Sequence, residues 1–151
     1  THDWAEALMF SDRVAVLDNG IVQQVDIPER VYGNPANLKV AQLFGTSVNY
    51  IDGIIRNQTF LSWIGEYTAG GRADGQYQAV VRPEQVELKT DSAGEWRVQK
   101  RIFAGGTTYY LIEKGEKQLW AASPPSGRYE LADKVNITVK LCPELLFPKT
   151  E

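Results

Sequence analysis

The sequence has few of the residues that build disulfides, metal sites or membrane spans. Cys142 is the single cysteine, which excludes an internal disulfide and is typical of a reducing compartment. His2 is the single histidine, so no His and Cys spacing suggests a metal site, and no second histidine could serve as a catalytic base. The apolar runs are far shorter than the roughly 20 residues that span a bilayer. The first residues also lack the basic start and apolar stretch of a signal peptide.

Clusters of positive charge are also missing. The 151 residues contain 16 Lys and Arg against 19 Asp and Glu, and the net charge is −3. The basic residues are scattered along the chain, whereas proteins that bind nucleic acids or anionic membranes concentrate them. We therefore expect no nucleic-acid partner.

The first part of the chain, residues 1–45, has a mixed helix and strand pattern. Asp3 followed by Glu6 resembles a capping box at the start of a helix. The turn "DNG" separates "RVAVL" from "IVQQV" and predicts a hairpin, because Asn-Gly readily adopts positive φ. "DIPERVYGNP" and "NLKVAQLFG" predict two further helices. So few residues bury too little surface to fold alone, which favours a fragment of a larger protein.

The second part, residues 46–151, has a different pattern. It contains seven short segments rich in Ile, Val, Thr, Tyr and Trp, separated by turn residues: "YIDGIIRN", "TFLSWIG", "QYQAVVRP", "EWRVQKRIFAG", "TTYYLIEKG", "KQLWAAS" and "KVNITVKL". A strand about every ten residues is typical of a small barrel or sandwich. We therefore predict a mainly β fold, preceded by a short α/β segment.

Several motifs resemble the ATP-binding subunits of ABC transporters, especially the maltose-type and ferric-iron-type importers. "THD" with "EA", followed by "SDRVAVLDNGIVQQVDIPERVYGNPANLKVAQLFG", is similar to the end of their nucleotide-binding domain. "AVVRPEQVEL" and "VNITVKLCPELLFP" are similar to their C-terminal regulatory domain, the small OB-like barrel called TOBE. The resemblance assigns residues 1–45 to the nucleotide-binding domain and 46–151 to the TOBE barrel.

This resemblance implies a function for the intact protein. His2 corresponds to the switch histidine, which contacts the γ-phosphate of ATP and helps to hold the attacking water. The intact subunit would use ATP and Mg²⁺ and form a homodimer. It would bind the transmembrane permease subunits on the cytoplasmic face of the membrane. The second predicted helix departs from the family pattern at two positions. Ile27 replaces the Ser or Thr that usually caps this helix. Asp26 replaces the usual glycine, and we expect it to cap the helix instead.

The motifs that bind and hydrolyse ATP are missing from these 151 residues. There is no G-x-x-x-x-G-K-[ST] phosphate loop, no "LSGGQ" signature and no apolar run ending in Asp-Glu. We therefore expect this chain alone to hold no cofactor and to be inactive as an ATPase. Its expected role is regulation and dimerisation within an importer's ATPase subunit. The alternative is a free-standing OB-like module that binds a sugar or an oxyanion.

Two further groups of residues have both a structural and a functional interpretation. Arg82, Pro83 and Glu84 form either a strand-to-turn junction or a contact with a regulatory protein, a small molecule or the second subunit. The aromatic side chains of the second part either stack on a sugar or base or belong to the core or a dimer interface; they are Trp63, Trp96, Tyr109, Tyr110 and Trp120.

Overall fold

The computed structural model describes residues 1–45 and 47–150. The fold is mainly β, as predicted. The helices are α1 (Trp4–Phe10), α2 (Pro28–Gly33) and α3 (Leu38–Gln42). The strands are β1 (Val14–Asp18), β2 (Ile21–Asp26), β3 (Asn49–Arg56), β4 (Thr59–Ser62), β5 (Gly65–Thr68), β6 (Gly75–Val81), β7 (Val86–Thr90), β8 (Trp96–Phe103), β9 (Thr108–Lys114), β10 (Lys117–Ser123), β11 (Lys134–Val139) and β12 (Leu146–Pro148).

The chain divides into two compact units. The first unit contains residues 1–46, 50–80 and 142–151, and the second contains residues 47–49 and 81–141. No helix among the described residues is long and apolar enough to cross a membrane.

Residues 1–45 fold as their turn and cap signals predict. The Asp3 carboxylate accepts hydrogen bonds from the backbone N–H groups of Ala5 and Glu6 and so begins α1. Asn19 and Gly20 both have positive φ, at 50° and 76°, and close the β1–β2 hairpin. The α elements and the hairpin share a small core formed by Val14, Val16, Val31, Val40 and Phe44.

The expectation that Asp26 caps α2 is wrong. The Asp26 carboxylate accepts a hydrogen bond from the N–H of Ile27, the residue before the helix, and no side chain caps the first turn. Asp26 ends β2, one position too early to reach the N–H groups of the first helical turn. Pro28 at the first helical position removes one of the donors that a cap would otherwise satisfy.

The five-stranded sheet of the first unit has the order β12-β6-β3-β4-β5, and only the end residues Asn49 of β3 and Val81 of β6 belong to the second unit. Gly53 on β3 lies against the fully buried ring of Phe60 on β4, and a Cβ added at Gly53 would come within 2.4 Å of Phe60 Cε2. The "TAGGRADG" loop is held against the last strand, because Arg72 Nε donates to the carbonyl of Leu146 at 3.0 Å.

The sheet of the second unit has the order β10-β9-β8-β11-β7. Its outer strands β7 and β10 approach each other, but no ladder of hydrogen bonds joins them in the described part of the chain. The sheet is therefore an open, curled, OB-like barrel. All seven predicted β segments contain a strand, while β5, β7 and β12 had no sequence prediction.

Candidate functional site

His2 lies just before α1 and is exposed. It lines a groove of about 480 Å³ in the first unit, together with Trp4, Arg13, Leu43 and Phe44. The rings of Trp4 and Phe44 meet edge to face, with their centroids 6.3 Å apart, and contribute apolar surface to this groove. The imidazole therefore faces solvent at the edge of a groove and is accessible to a ligand or another protein segment.

Arg82 and Pro83 are buried in the second unit, and Pro83–Gln85 forms a 3-10 turn after β6. The backbone N–H of Arg82 donates to Gln85 Oε1 at 2.7 Å, and the N–H of Gln85 donates to the carbonyl of Arg82 at 2.9 Å. Gln85 Nε2 also donates to the carbonyl of Lys140 at 2.8 Å. Arg82 and Pro83 thus build this turn, and Glu84 is the member of the motif whose side chain faces solvent.

Glu84 lines an open pocket of about 450 Å³ at one end of the second unit. Glu87, Thr107 and Ser123 also line it, so its polar groups are two carboxylates and two hydroxyls. Lys140 Nζ lies 2.5 Å from Glu87 Oε1 and forms an ion pair on the surface.

The aromatic side chains of the second unit do not form one solvent-facing platform. Trp96 and Tyr110 are buried, whereas Tyr109 and Trp120 are partly exposed. The Tyr110 hydroxyl donates to the carbonyl of Gly127, and its ring meets that of Tyr129 edge to face at 5.3 Å. These contacts assign Tyr110 to the core. Trp63, which belongs to the first unit, is 39% exposed.

Tyr129 contacts two strands of the second unit, β7 and β9. Its hydroxyl donates to the carbonyl of Leu88 at 2.6 Å, and its backbone N–H donates to the Tyr110 hydroxyl at 3.3 Å. Burial raises the pKa of Tyr129, and the neighbouring Tyr110 adds to the increase. The phenol therefore stays protonated and keeps its hydrogen bond to β7 at neutral pH.

Asn49 is a buried polar residue that sequence reasoning missed. Its Nδ2 donates to the carbonyls of Val81 and Trp120, at 3.1 and 2.9 Å, and its Oδ1 accepts from the N–H of Trp120 at 2.7 Å. The amide thus pairs with both the carbonyl and the N–H of Trp120, which lies on the edge strand β10. The sequence gives little indication of this role, because it shows only one asparagine before an apolar segment.

The described residues contain no group of three or more His, Cys, Asp or Glu side chains that could hold a metal ion. The structure gives the candidate residues two environments: His2 lies beside a groove in the first unit, and Arg82, Pro83 and Glu84 lie in one turn of the second.

Comparison with known proteins identifies related domains and chains. Residues 79–144 match the TOBE domain family, and this range includes the whole continuous segment 81–141 of the second unit. The spermidine/putrescine import ATP-binding protein PotA of Mesoplasma florum is 34% identical over 147 residues, covering 91% of this chain and 41% of the relative. The protein of the same name from Clostridium novyi is 34% identical over 126 residues, covering 80% of this chain and 36% of the relative.

Another relative, named for a different imported solute, is similar over nearly the same length of this chain. The Fe(3+) ions import ATP-binding protein FbpC 2 of Rhodococcus jostii is 29% identical over 138 residues, covering 91% of this chain and 37% of the relative. The chain thus spans about two fifths of the length of these curated relatives. The chain therefore carries a TOBE domain and is a relative of the ATP-binding subunits of ABC importers.

Proposed function

We propose that the chain is the regulatory and dimerisation portion of the ATP-hydrolysing subunit of an ABC importer. The observation that supports this most strongly is the similarity to import ATP-binding proteins over 91% of the chain, well beyond the TOBE match at residues 79–144. In this proposal residues 1–45 end the nucleotide-binding domain, and residues 46–151 form the TOBE barrel. The barrel keeps two subunits together while ATP hydrolysis drives solute uptake.

The exposed apolar surface of residues 1–45 supports their proposed assignment to the end of a nucleotide-binding domain. Their core is small, and many large apolar side chains around it remain exposed, among them Met9, Phe10, Leu17, Ile21, Val22 and Leu43. Soluble domains rarely expose so many apolar groups close together unless another surface covers them. In our proposal the remainder of the nucleotide-binding domain covers this face.

The proposal gives His2 a role in the intact subunit, where ATP and Mg²⁺ bind. His2 is held at the start of α1 by the Asp3 cap, which fixes the backbone one residue away. Its exposed imidazole can donate a hydrogen bond to a phosphate oxygen supplied by the rest of the site.

We predict that His2→Ala lowers ATP hydrolysis by the complete subunit about 100-fold, the usual loss when a group that positions the reacting water is removed. The measurement is steady-state phosphate release by the complete purified subunit. Glu116→Ala, in the exposed turn between β9 and β10, is the control and should retain full activity. Equal rates for His2→Ala and the control would refute the role of His2.

The same proposal includes partners and a location. The intact subunit would bind the permease subunits of the importer on the cytoplasmic face of the membrane. Glu84, with the open pocket beside it, is the position proposed to receive a regulatory protein or small molecule, and the buried Arg82 and Pro83 hold its turn in place. The alternative, a free-standing OB-like module that binds a sugar or an oxyanion, is less favoured because the similarity to import ATP-binding proteins extends over 91% of the chain, beyond the TOBE match at residues 79–144.

A further inference from the structure

The turn between β1 and β2 contains the one Asn-Gly pair of the sequence. Asn19 and Gly20 are its two central residues, and both are exposed with positive φ, at 50° and 76°. Within the described residues, the Asn19 amide makes one hydrogen bond, a long one of 3.5 Å to Asp18 Oδ2. Apart from its chain neighbours, no atom lies within 4 Å of a Cβ built on Gly20. The tip of this hairpin is therefore held mainly by the turn itself.

The turn between β3 and β4 has the same length and the same first residue. Asn57 and Gln58 are its two central residues, and both are exposed with positive φ, at 50° and 63°. This turn differs from the first in two ways: its second residue has a side chain, and a neighbouring loop holds its backbone. The N–H of Asn57 donates to Asp74 Oδ1 at 3.0 Å, and the carbonyl of Gln58 accepts from the N–H of Ala69 at 2.9 Å. The chain thus contains a natural control for Asn19.

We propose that Asn19 is a site of spontaneous deamidation, with water as the co-reactant. The backbone nitrogen of Gly20 loses its proton to hydroxide and forms a bond to Cγ of Asn19, while the Cγ–Nδ2 bond breaks and ammonia leaves with a proton from water. The resulting succinimide ring takes up one water molecule at either of its two carbonyl carbons. Opening of the ring at Cγ gives aspartate, and opening at the main-chain carbonyl carbon gives isoaspartate. No group is oxidised or reduced.

The residue after the asparagine decides how readily this ring forms. The backbone nitrogen must swing toward Cγ of the preceding residue, which takes the turn out of its resting conformation. Gly20 has no Cβ to hinder this rotation, and in the described part of the chain no backbone hydrogen bond ties the tip to another element. At Asn57 the Gln58 side chain crowds the attacking nitrogen, and the hydrogen bonds with Asp74 and Ala69 resist the rotation. Because a deprotonated nitrogen attacks, the rate should rise with hydroxide concentration.

The product changes the hairpin in two ways. Isoaspartate adds one atom to the main chain of a two-residue turn whose length fits the closing pair of Asp18 and Ile21. Either product also places a new carboxylate beside Asp18, which forms an ion pair with Lys39 of α3 at 2.8 Å. Deamidation is therefore expected to loosen the β1–β2 hairpin and its contact with α3.

Peptide mapping of the full chain tests the proposal. The folded protein is incubated in mildly alkaline buffer and digested with trypsin, and liquid chromatography with mass spectrometry distinguishes the asparagine, aspartate and isoaspartate forms of each peptide. We expect Asn19 to be lost at least about tenfold faster than Asn57, because its attacking nitrogen reaches Cγ more readily. Both aspartate and isoaspartate should appear at position 19. An Asn19 that stays intact, or that yields aspartate without isoaspartate, would overturn the proposal.

Exchanging the second residues of the two turns gives matched variants. Gly20→Gln and Gln58→Gly each introduce a residue that the other turn already accommodates at positive φ, so both variants should fold, and circular dichroism checks that they do. Gly20→Gln should slow the loss of Asn19 at least about tenfold, and Gln58→Gly should accelerate the loss of Asn57. Equal rates of Asn19 loss in Gly20→Gln and in the wild-type chain would refute the role of Gly20 and the proposed reaction with it.

Discussion

Replacing Asn49 with alanine is expected to lower the free energy of unfolding by about 4 kcal/mol, because three buried or partly buried backbone groups lose their partner at once. The groups are the carbonyls of Val81 and Trp120 and the N–H of Trp120. Asn49 itself is 7% exposed, so water cannot easily replace its amide. Urea denaturation followed by tryptophan fluorescence measures the change.

The chain offers a matched control on another strand. Asn136 is exposed on β11, and its Nδ2 donates to Asp91 Oδ2 at the surface. Asn136→Ala should therefore cost less than about 1 kcal/mol. Asn49→Asp keeps the size of the side chain but removes its donors. A carboxylate can accept from the N–H of Trp120 but cannot donate to the two carbonyls. Equal stability of Asn49→Ala and Asn136→Ala would show that the hydrogen bonds of the Asn49 amide do not stabilise the fold as we propose.

The second large effect is expected at Gly53, where Gly53→Ala should destabilise the chain by about 3 kcal/mol. A Cβ at this position would lie 2.4 Å from Phe60 Cε2 and 2.6 Å from the carbonyl oxygen of Leu61. The ring of Phe60 is fully buried and cannot move aside into solvent. Thermal or urea unfolding of the purified variant measures the loss.

A double-mutant cycle tests whether the ring causes this loss. Phe60→Leu shortens the side chain that the new methyl group would meet, so the Gly53→Ala/Phe60→Leu double variant should lose less stability than the sum of the single variants. Gly106→Ala is the control, since nothing lies within 4 Å of a Cβ there. Additive losses in the cycle would show that Phe60 is not the obstacle.

The elements that could be predicted from the sequence depend on local chemistry. The helix start at Asp3 and the hairpin turn at Asn19 and Gly20 are decided by neighbouring residues, and the structure confirms both. The missed strand β7 has a charged sequence, "VELKT", in which Val86 is buried while Glu87 forms an ion pair with Lys140. Composition indicates a solvated edge there, but pairing with β11 makes it a strand.

In the candidate site, too, features that depend on residues distant in sequence could not be predicted. His2 and the Arg82-Pro83-Glu84 motif could be selected from the resemblance, but burial of Arg82 and Pro83 depends on long-range packing. Asn49 escaped prediction because its partners, Val81 and Trp120, are distant in sequence.

The measurement that tests the central claim most directly is the sequence of the coding DNA immediately upstream of Thr1. We predict an open reading frame that encodes G-x-x-x-x-G-K-[ST], then a signature motif and an apolar run ending in Asp-Glu, all in frame with His2. This result would identify the parent as an ABC ATPase. A start codon immediately before Thr1 would contradict the account, because His2 would then have no nucleotide site to serve.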